Sequence, residues 1–234
     1  MRQVLHLFKK ELSIYFISPI AYIVISIFLL VTGWFFFTTF FLFNQASLRN
    51  FFNLMPIMFS FVVPAITMRL FSEELNIGSY EILMTMPVTN RDVVLGKFLA
   101  STAFVTIMLI PTVAYPITVS FLGQLDWGPV IGGYIGAVLL GGTFSAVGLF
   151  ASSLTRNQII AFIIGMVICF SLTLINKMLF FLPQSLLGIL EYLGADFHFQ
   201  NISKGIIDSR DILYFISISF VCLYGAYLSM LERD

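Results

Sequence analysis

The sequence predicts an all-α, polytopic membrane protein, and three observations carry that prediction. Of its 234 residues 59% are hydrophobic and only 10% charged, with 27 phenylalanines and a mean hydropathy of +0.99. Soluble globular domains do not have this composition. Charges and turn residues gather at intervals and leave apolar stretches of the length, about 20 residues, that a helix needs to cross a hydrocarbon core of about 30 Å. Lys and Arg also fall unequally on alternate sides of those stretches. Six spans result, near 19–43, 52–71, 92–122, 128–153, 157–182 and 211–231, in one domain covering 1–234.

Ahead of the first span, residues 2–17 place Val4, Leu5, Phe8, Leu12 and Tyr15 or Phe16 at helical spacing, opposite Arg2, Lys9 and Lys10. That pattern predicts an amphipathic helix lying in the membrane interface. Ser18-Pro19 separates it from the first span, because the residue before proline is driven out of the helical region. Leu12 to Phe43 is far longer than a secretory apolar region and has no small-residue cleavage pattern, so it is read as mature structure. Pro56, Pro64, Pro111 and Pro116 interrupt spans two and three, each removing a backbone donor. Thr89-Asn90-Arg91-Asp92 reads as a capping box opening span three, and Thr155-Arg156-Asn157-Gln158 as another opening span five. In span four Gly133, Ala137, Gly141 and Ser145 recur every four residues, beside Gly132-x-x-x-Gly136, which predicts close approach of another helix, from the same chain or across a subunit seam. No internal repeat is visible, unlike the halves of many secondary transporters. With the N-terminus cytoplasmic, that side holds Arg2, Lys9, Lys10, Arg69, Arg91, Lys97, Arg156 and Arg233, against Arg49, Lys177, Lys204 and Arg210 outside. Eight against four predicts both termini inside.

The outer segment, residues 183–210, is too long for a turn. Its run Leu186, Leu187, Ile189, Leu190, Leu193 has the length of a re-entrant or interfacial helix. Glu191, Asp196 and His198 are metal-ligand types at poor spacing and read as a solvated loop, and Asn201-Ile202-Ser203 matches the glycosylation pattern. Cys169 and Cys222 stand alone in apolar runs and read as packing thiols, with no metal set indicated. Net charge is zero, so there is no basic face for a nucleic acid.

Between spans two and three the chain turns polar, reading RLFSEELNIGSYEILMTMPVTNRDVVLGKF from Arg69 to Phe98. Arg69 is too costly to leave in hydrocarbon and is expected to pair with Glu73 one turn on. Tyr80, Leu83, Met84 and Pro87 follow i, i+3, i+4, i+7 spacing, which predicts a short amphipathic helix within 76–90, bracketed by Gly78 and Pro87. Such a short helix is marginal in water and needs a membrane face or a partner groove, in which Glu81 can meet a basic residue.

These residues, Glu73-Glu74, Gly78, Glu81, Leu83, Pro87-Val88 and Leu95-Gly96-Lys97-Phe98, resemble the loop of type-2 ABC exporter permeases, in particular the branch with the gliding-motility and nitrous-oxide-reductase maturation permeases. Two further stretches are similar to that branch: Lys9-Lys10-Glu11-Leu12 with Ser18-Pro19-Ile20-Ala21-Tyr22, and His198-Phe199 through Lys204 to Asp211 and on to Tyr214-Phe215. The resemblance implies a coupling helix that docks on a separate ATPase subunit through Glu73, Glu74, Gly78, Tyr80, Glu81, Leu83, Met84 and Pro87. It also implies a second permease copy or a related one, an inner-membrane location, and ATP and Mg on the ATPase rather than on this chain. The chain itself has no phosphate-binding loop: Gly96-Lys97-Phe98 lacks the earlier glycine and the hydroxyl residue. No catalytic residue is identified. An intramembrane protease lacks its base, since His6 and His198 lie outside the spans. An autonomous ion-coupled transporter and a membrane anchor of an extracytoplasmic machine, with a partner on that side, stay open. The substrate is not specified.

Overall fold

The computed structural model describes residues 2–43, 47–80, 88–178, 192–206 and 208–232. The described residues form helices α1 (Arg2–Ile17), α2 (Pro19–Phe43), α3 (Arg49–Thr67), α4 (Arg69–Ile77), α5 (Asn90–Leu109), a 3₁₀ turn (Ile110–Val113), α6 (Ala114–Leu122), α7 (Trp127–Leu154), α8 (Gln158–Met178), α9 (Ala195–Ser203) and α10 (Ser209–Leu231). Six segments are long and apolar enough to cross a membrane: Pro19–Leu42, Arg49–Ile77, Asn90–Leu122, Trp127–Leu154, Gln158–Met178 and Ser209–Leu231. The second is longer than the sequence predicts because α4 continues the rod beyond residue 71.

α7 is the axis of the bundle. It packs against α3, α5, α8, α9 and α10, and it can do so because its small residues leave room for large ones. A Cβ on Gly133 would stand 2.4–2.6 Å from three ring atoms of Phe52, one on Gly141 2.6 Å from Val105 Cγ1, and one on Gly148 1.9 Å from Thr67 Oγ1. Gly133, Ala137, Gly141 and Ser145 are all buried within this one chain. On the other side of α7, Gly132 lets the backbone of Ile202 and Gly205 approach, and Gly136 receives Phe199. By contrast α2, α8 and α10 turn most of their apolar surface outward, as a lipid-facing helix does.

The prolines act as local irregularities. Pro111 falls in the 3₁₀ turn that divides α5 from α6, and Pro56 and Pro64 lie inside α3. The capping box at Thr89 is formed: its hydroxyl accepts from Asp92 N (3.3 Å) while Thr89 N donates to Asp92 Oδ2 (3.3 Å). The one expected at Thr155 is not. Asn157 Oδ1 accepts from Ile159 N (2.9 Å) and is itself the cap, while Thr155 Oγ1 accepts from Asn157 N (3.1 Å). Asn is as good a cap as Thr and sits directly before the first helical residue, which decides between them.

Two contacts gather the head of α5 and the ends of α7 and α10 at one end of the bundle. Arg91 lies over the Tyr227 ring (5.3 Å), and Ser229 Oγ donates to Ser153 O (3.1 Å). α9 stands at the opposite end. It corrects the reading of Asp196 and His198 as a solvated loop: both side chains lie on a helix and are buried, at 2% exposure each. Glu191 and most of the apolar run from Leu186 lie outside the described residues. Among the described residues no group of His, Cys, Asp or Glu could hold a metal ion. Cys169 is buried, Cys222 half-buried, and both are free thiols.

Burial raises the Asp196 carboxyl above the ordinary carboxylate range, against the pull of Lys177 and of Gln200, which donates to Oδ2 (2.9 Å). Oδ1 has no partner. A carboxyl that holds its proton more tightly folded than unfolded contributes stability at low pH that is lost as pH rises through its folded value. Asp196→Asn is therefore expected to hold or raise the melting temperature in detergent at pH 8 and to flatten its fall with pH. An unchanged melting profile would overturn that assignment.

Candidate coupling site

α1 binds the bundle along a line that shares only Tyr15 with the face the sequence pattern singled out. Leu7, Glu11 and Tyr15, at i, i+4 and i+8, are its buried residues, whereas Val4, Leu5 and Phe8 line an apolar groove with Leu95, Phe98 and Leu99 of α5. Close approach is possible because residue 96 is glycine: a Cβ there would meet Leu7 Cβ at 2.8 Å and Phe8 N at 3.5 Å. Ser18 turns the chain into α2, its hydroxyl accepting from Ile20 N (3.3 Å).

Beneath this crossing sits a buried cation. Lys97, 1% exposed, donates from Nζ to Glu74 Oε1 (2.8 Å) and to Glu11 Oε1 (3.2 Å), and its ammonium stands 5.3 Å from the centroid of the Phe71 ring. One side chain of α5 thereby holds a carboxylate of α1 and another of α4. Glu11 Oε1 is also 3.8 Å from the exposed Lys10 ammonium, and among the described residues Glu74 Oε2 is enclosed with no partner. The neighbouring cleft, about 250 Å³, is lined by Glu11, Tyr15, Arg69, Glu73, Glu74 and Lys97 among others.

Arg69 departs from its expected pairing with Glu73. Its guanidinium lies 5.8 Å from the centroid of the Tyr15 ring and makes no ion pair among the described residues. Stacking on an aromatic face satisfies a weakly hydrated guanidinium at a membrane interface without drawing Glu73 from water. Tyr15 donates its hydroxyl to Ile66 O (3.2 Å) and stacks on Phe104 (4.9 Å). Burial first, then the charge of Glu11, pushes its phenol well above the ordinary tyrosine value, so it remains a donor.

The joint between α3 and α4 is closed by α7. Residues at a helix start have amides without partners, and Met68 offers α4 no side-chain cap. Ser152 supplies it from across the bundle, accepting from Phe71 N (2.9 Å) and Ser72 N (3.0 Å) while donating to Met68 O (2.8 Å). Ser152→Ala would leave two buried amides without an acceptor and is expected to cost about 1–3 kcal/mol. The check is a chemical or thermal unfolding midpoint in detergent, with Ser153→Ala as the neighbouring control.

α4 ends at Gly78, whose φ of 76° is the left-handed terminus that glycine adopts without strain. Tyr80, 4% exposed, folds back, its hydroxyl donating to Asn90 Oδ1 (3.1 Å) and its ring meeting Phe71 edge-on. Of the residues expected to meet an ATPase subunit, Glu73, Glu74, Gly78 and Tyr80 are thus gathered at the α1 end. Glu81, Leu83, Met84 and Pro87, and with them the core of the helix expected within 76–90, lie outside the described residues. Sequence reading missed Lys97 and Glu11 as a pair. Its one available signal was a lone lysine one turn and a half into an apolar span.

The fold and this site define a multi-pass membrane protein whose N-terminal helix and the end of whose second span are fastened to the third span at one face. Residues 37–191, more than half of the chain, match the ABC-2 family transporter proteins, and the chain belongs to that family. No curated protein matches it. Membership makes the chain a permease component of an ABC transporter, a part of the membrane path rather than a catalytic unit, of the kind that associates with an ABC ATPase.

Proposed function

We propose that this permease couples ATP hydrolysis on a separate nucleotide-binding subunit to movement of its membrane helices, which exports a cargo or passes a mechanical signal to an extracytoplasmic partner. The observation that carries the reading is the fastening to the bundle of the described chain on either side of residues 81–87. α4 is tied to α1 and α5 through Lys97, and to α7 through Ser152. Tyr80 ties the chain just beyond Gly78 to the head of α5. A push on the segment is therefore delivered to three helices and the interfacial α1 together. In this reading Leu83, Met84 and Pro87 enter a groove of the ATPase and Glu81 meets a basic residue there, while ATP and Mg stay on that subunit. A second permease copy or a related chain completes the pore. Both termini face the cytoplasm of an inner membrane, in keeping with the lysine and arginine count.

The test is purification in mild detergent from the native membrane, with mass spectrometry of what co-elutes. An ATPase subunit is expected to co-elute with the native chain and to be lost from the Glu81→Lys, Leu83→Asp double variant. Clean recovery of the permease without any ATPase would overturn the reading and favour an autonomous ion-coupled transporter.

A further inference from the structure

Beside the Lys97 cluster, α1 and α5 leave an open groove of about 840 Å³, walled by Val4, Leu5 and Phe8 and floored by α5. The floor is one face of that helix: Leu95, Leu99, Thr102 and Thr106 recur at helical spacing down to Ile107. From Leu95 to Ile107 the helix rises about 18 Å, a little more than one leaflet of hydrocarbon at about 15 Å. The face belongs to a segment long and apolar enough to cross a membrane, so the groove opens to lipid. Little on this floor can hydrogen-bond a ligand. The Thr106 hydroxyl donates to Thr102 O (2.8 Å), and Thr102 Oγ1 is enclosed. A polar occupant would give up its bonds to water for nothing in return, whereas a hydrocarbon chain loses none.

The mouth of the groove is basic. Lys9 follows Leu5 by one turn of α1 and Arg91 precedes Leu95 by one turn of α5, and both are exposed. A Cβ on Gly96 would stand 3.5 Å from Phe8 N, which sets Lys9 level with the head of the floor. Arg91 is steadied over the Tyr227 ring of α10 (5.3 Å), while Lys10 leaves by the other side of α1, 3.8 Å from Glu11 Oε1. The carboxylates of this end are differently engaged. Asp92 Oδ2 takes the Thr89 amide and hydroxyl (3.3 and 2.7 Å), Glu11 holds Lys97, Glu73 and Glu74 line the cleft on the other side of α1, and exposed Glu232 ends α10. A second copy of the chain fits this mouth poorly. A two-fold axis along the membrane normal would bring Lys9 and Arg91 against their own symmetry mates. An anion at the same depth meets both of them favourably.

We propose that the groove seats an acyl chain of an anionic phospholipid, with the headgroup phosphate held between Lys9 and Arg91. The chain fills the space that α1 leaves over α5, and the phosphate bridges the two helices at the surface, so the lipid fastens α1 next to the Lys97 cluster. An acidic headgroup is attracted to Lys and Arg at the interface, whereas a zwitterionic one brings no net charge to them. This inference does not depend on the ATPase reading.

The test is native mass spectrometry of the delipidated protein in detergent, titrated separately with phosphatidylglycerol and with phosphatidylcholine of the same acyl chains. The native chain is expected to prefer phosphatidylglycerol by about fivefold for each of the two cations. Lys9→Gln is expected to remove one such factor, Lys9→Gln with Arg91→Gln both, and Lys10→Gln, on the other side of α1, neither. Ala103→Phe fills the floor with both charges in place and is expected to weaken both lipids. Val167→Phe, on the exposed face of α8, is the control and is expected to leave binding unchanged. Equal binding of the two lipids by the native chain, a preference that survives in the double variant, or binding unaffected by Ala103→Phe overturns the site. So does a native oligomer, seen by light scattering, that Ala103→Phe dissociates, since that puts a second copy in the groove. If the double variant does not fold, Lys9→Gln and Ala103→Phe decide, an unchanged preference in the first or unchanged binding in the second overturning the site.

Discussion

Lys97→Met is expected to be among the most destabilising single substitutions in the chain, by about 3–5 kcal/mol, the usual cost of removing one partner from a buried charge cluster. Lys97 has 2% of its side chain exposed and its partners 7% and 19%, so solvent screens the cluster little. Without the ammonium, the Glu11 and Glu74 carboxylates face each other with only the exposed Lys10 ammonium, 3.8 Å from Glu11 Oε1, as counter-charge, and one of the two must take up a proton or leave. Glu11 is the one that can leave, because α1 is held largely by α5. The expected result is release of α1, seen as faster proteolysis near Lys9 and Lys10 and a lower unfolding midpoint in detergent. The triple variant with Glu11→Gln and Glu74→Gln is expected to recover much of the loss, since it leaves amides in place of uncompensated charges. Full stability in Lys97→Met, or no recovery in the triple variant, would show that the cluster does not hold α1.

Gly141→Ala is the second. In an isolated helix this change stabilises by about 1 kcal/mol, because alanine is the better helix former. Here the new methyl would lie 2.6 Å from Val105 Cγ1 and 3.3 Å from Phe59 Cε2, both side chains fully buried. Overpacking of this kind costs about 1–3 kcal/mol, and it is expected to outweigh the propensity gain. The sign should reverse when the obstacle is removed: in a Val105→Ala background, Gly141→Ala fills vacated space and is expected to stabilise. A double-mutant cycle on unfolding midpoints isolates that coupling. Size-exclusion with light scattering supplies the contrast, because a glycine filled by a side chain of its own chain should leave the oligomeric state unchanged. A changed oligomeric state with an unchanged midpoint would assign Gly141 to a subunit seam.

The physics also explains which readings the sequence supported. All six spans were legible because crossing a bilayer needs length and apolarity, both one-dimensional properties. The breaks at Ser18-Pro19 and Thr89 were legible because they rest on bonds between residues a few positions apart. Asn157 was misjudged by two positions, since Thr155 and Asn157 both have capping side chains and only the backbone decides which is adjacent to the first turn. Arg69 was assigned to Glu73 because helical spacing offered that carboxylate. The tertiary fold offered a tyrosine ring from α1 instead.

The sequence by itself determined that this is a helical membrane protein of six spans, with an amphipathic helix before them and a polar loop between the second and third. Composition, periodicity and local capping settle those features, and each acts over a few turns of chain. Only the tertiary structure decided that Lys97 binds Glu11 and Glu74, that Ser152 closes the α3–α4 joint, and that His198 and Asp211 are buried rather than solvated. Those pairs are separated by 86, 23, 80 and 13 positions. Whether a polar side chain is buried and matched depends on what other helices bring to it, which no local pattern records.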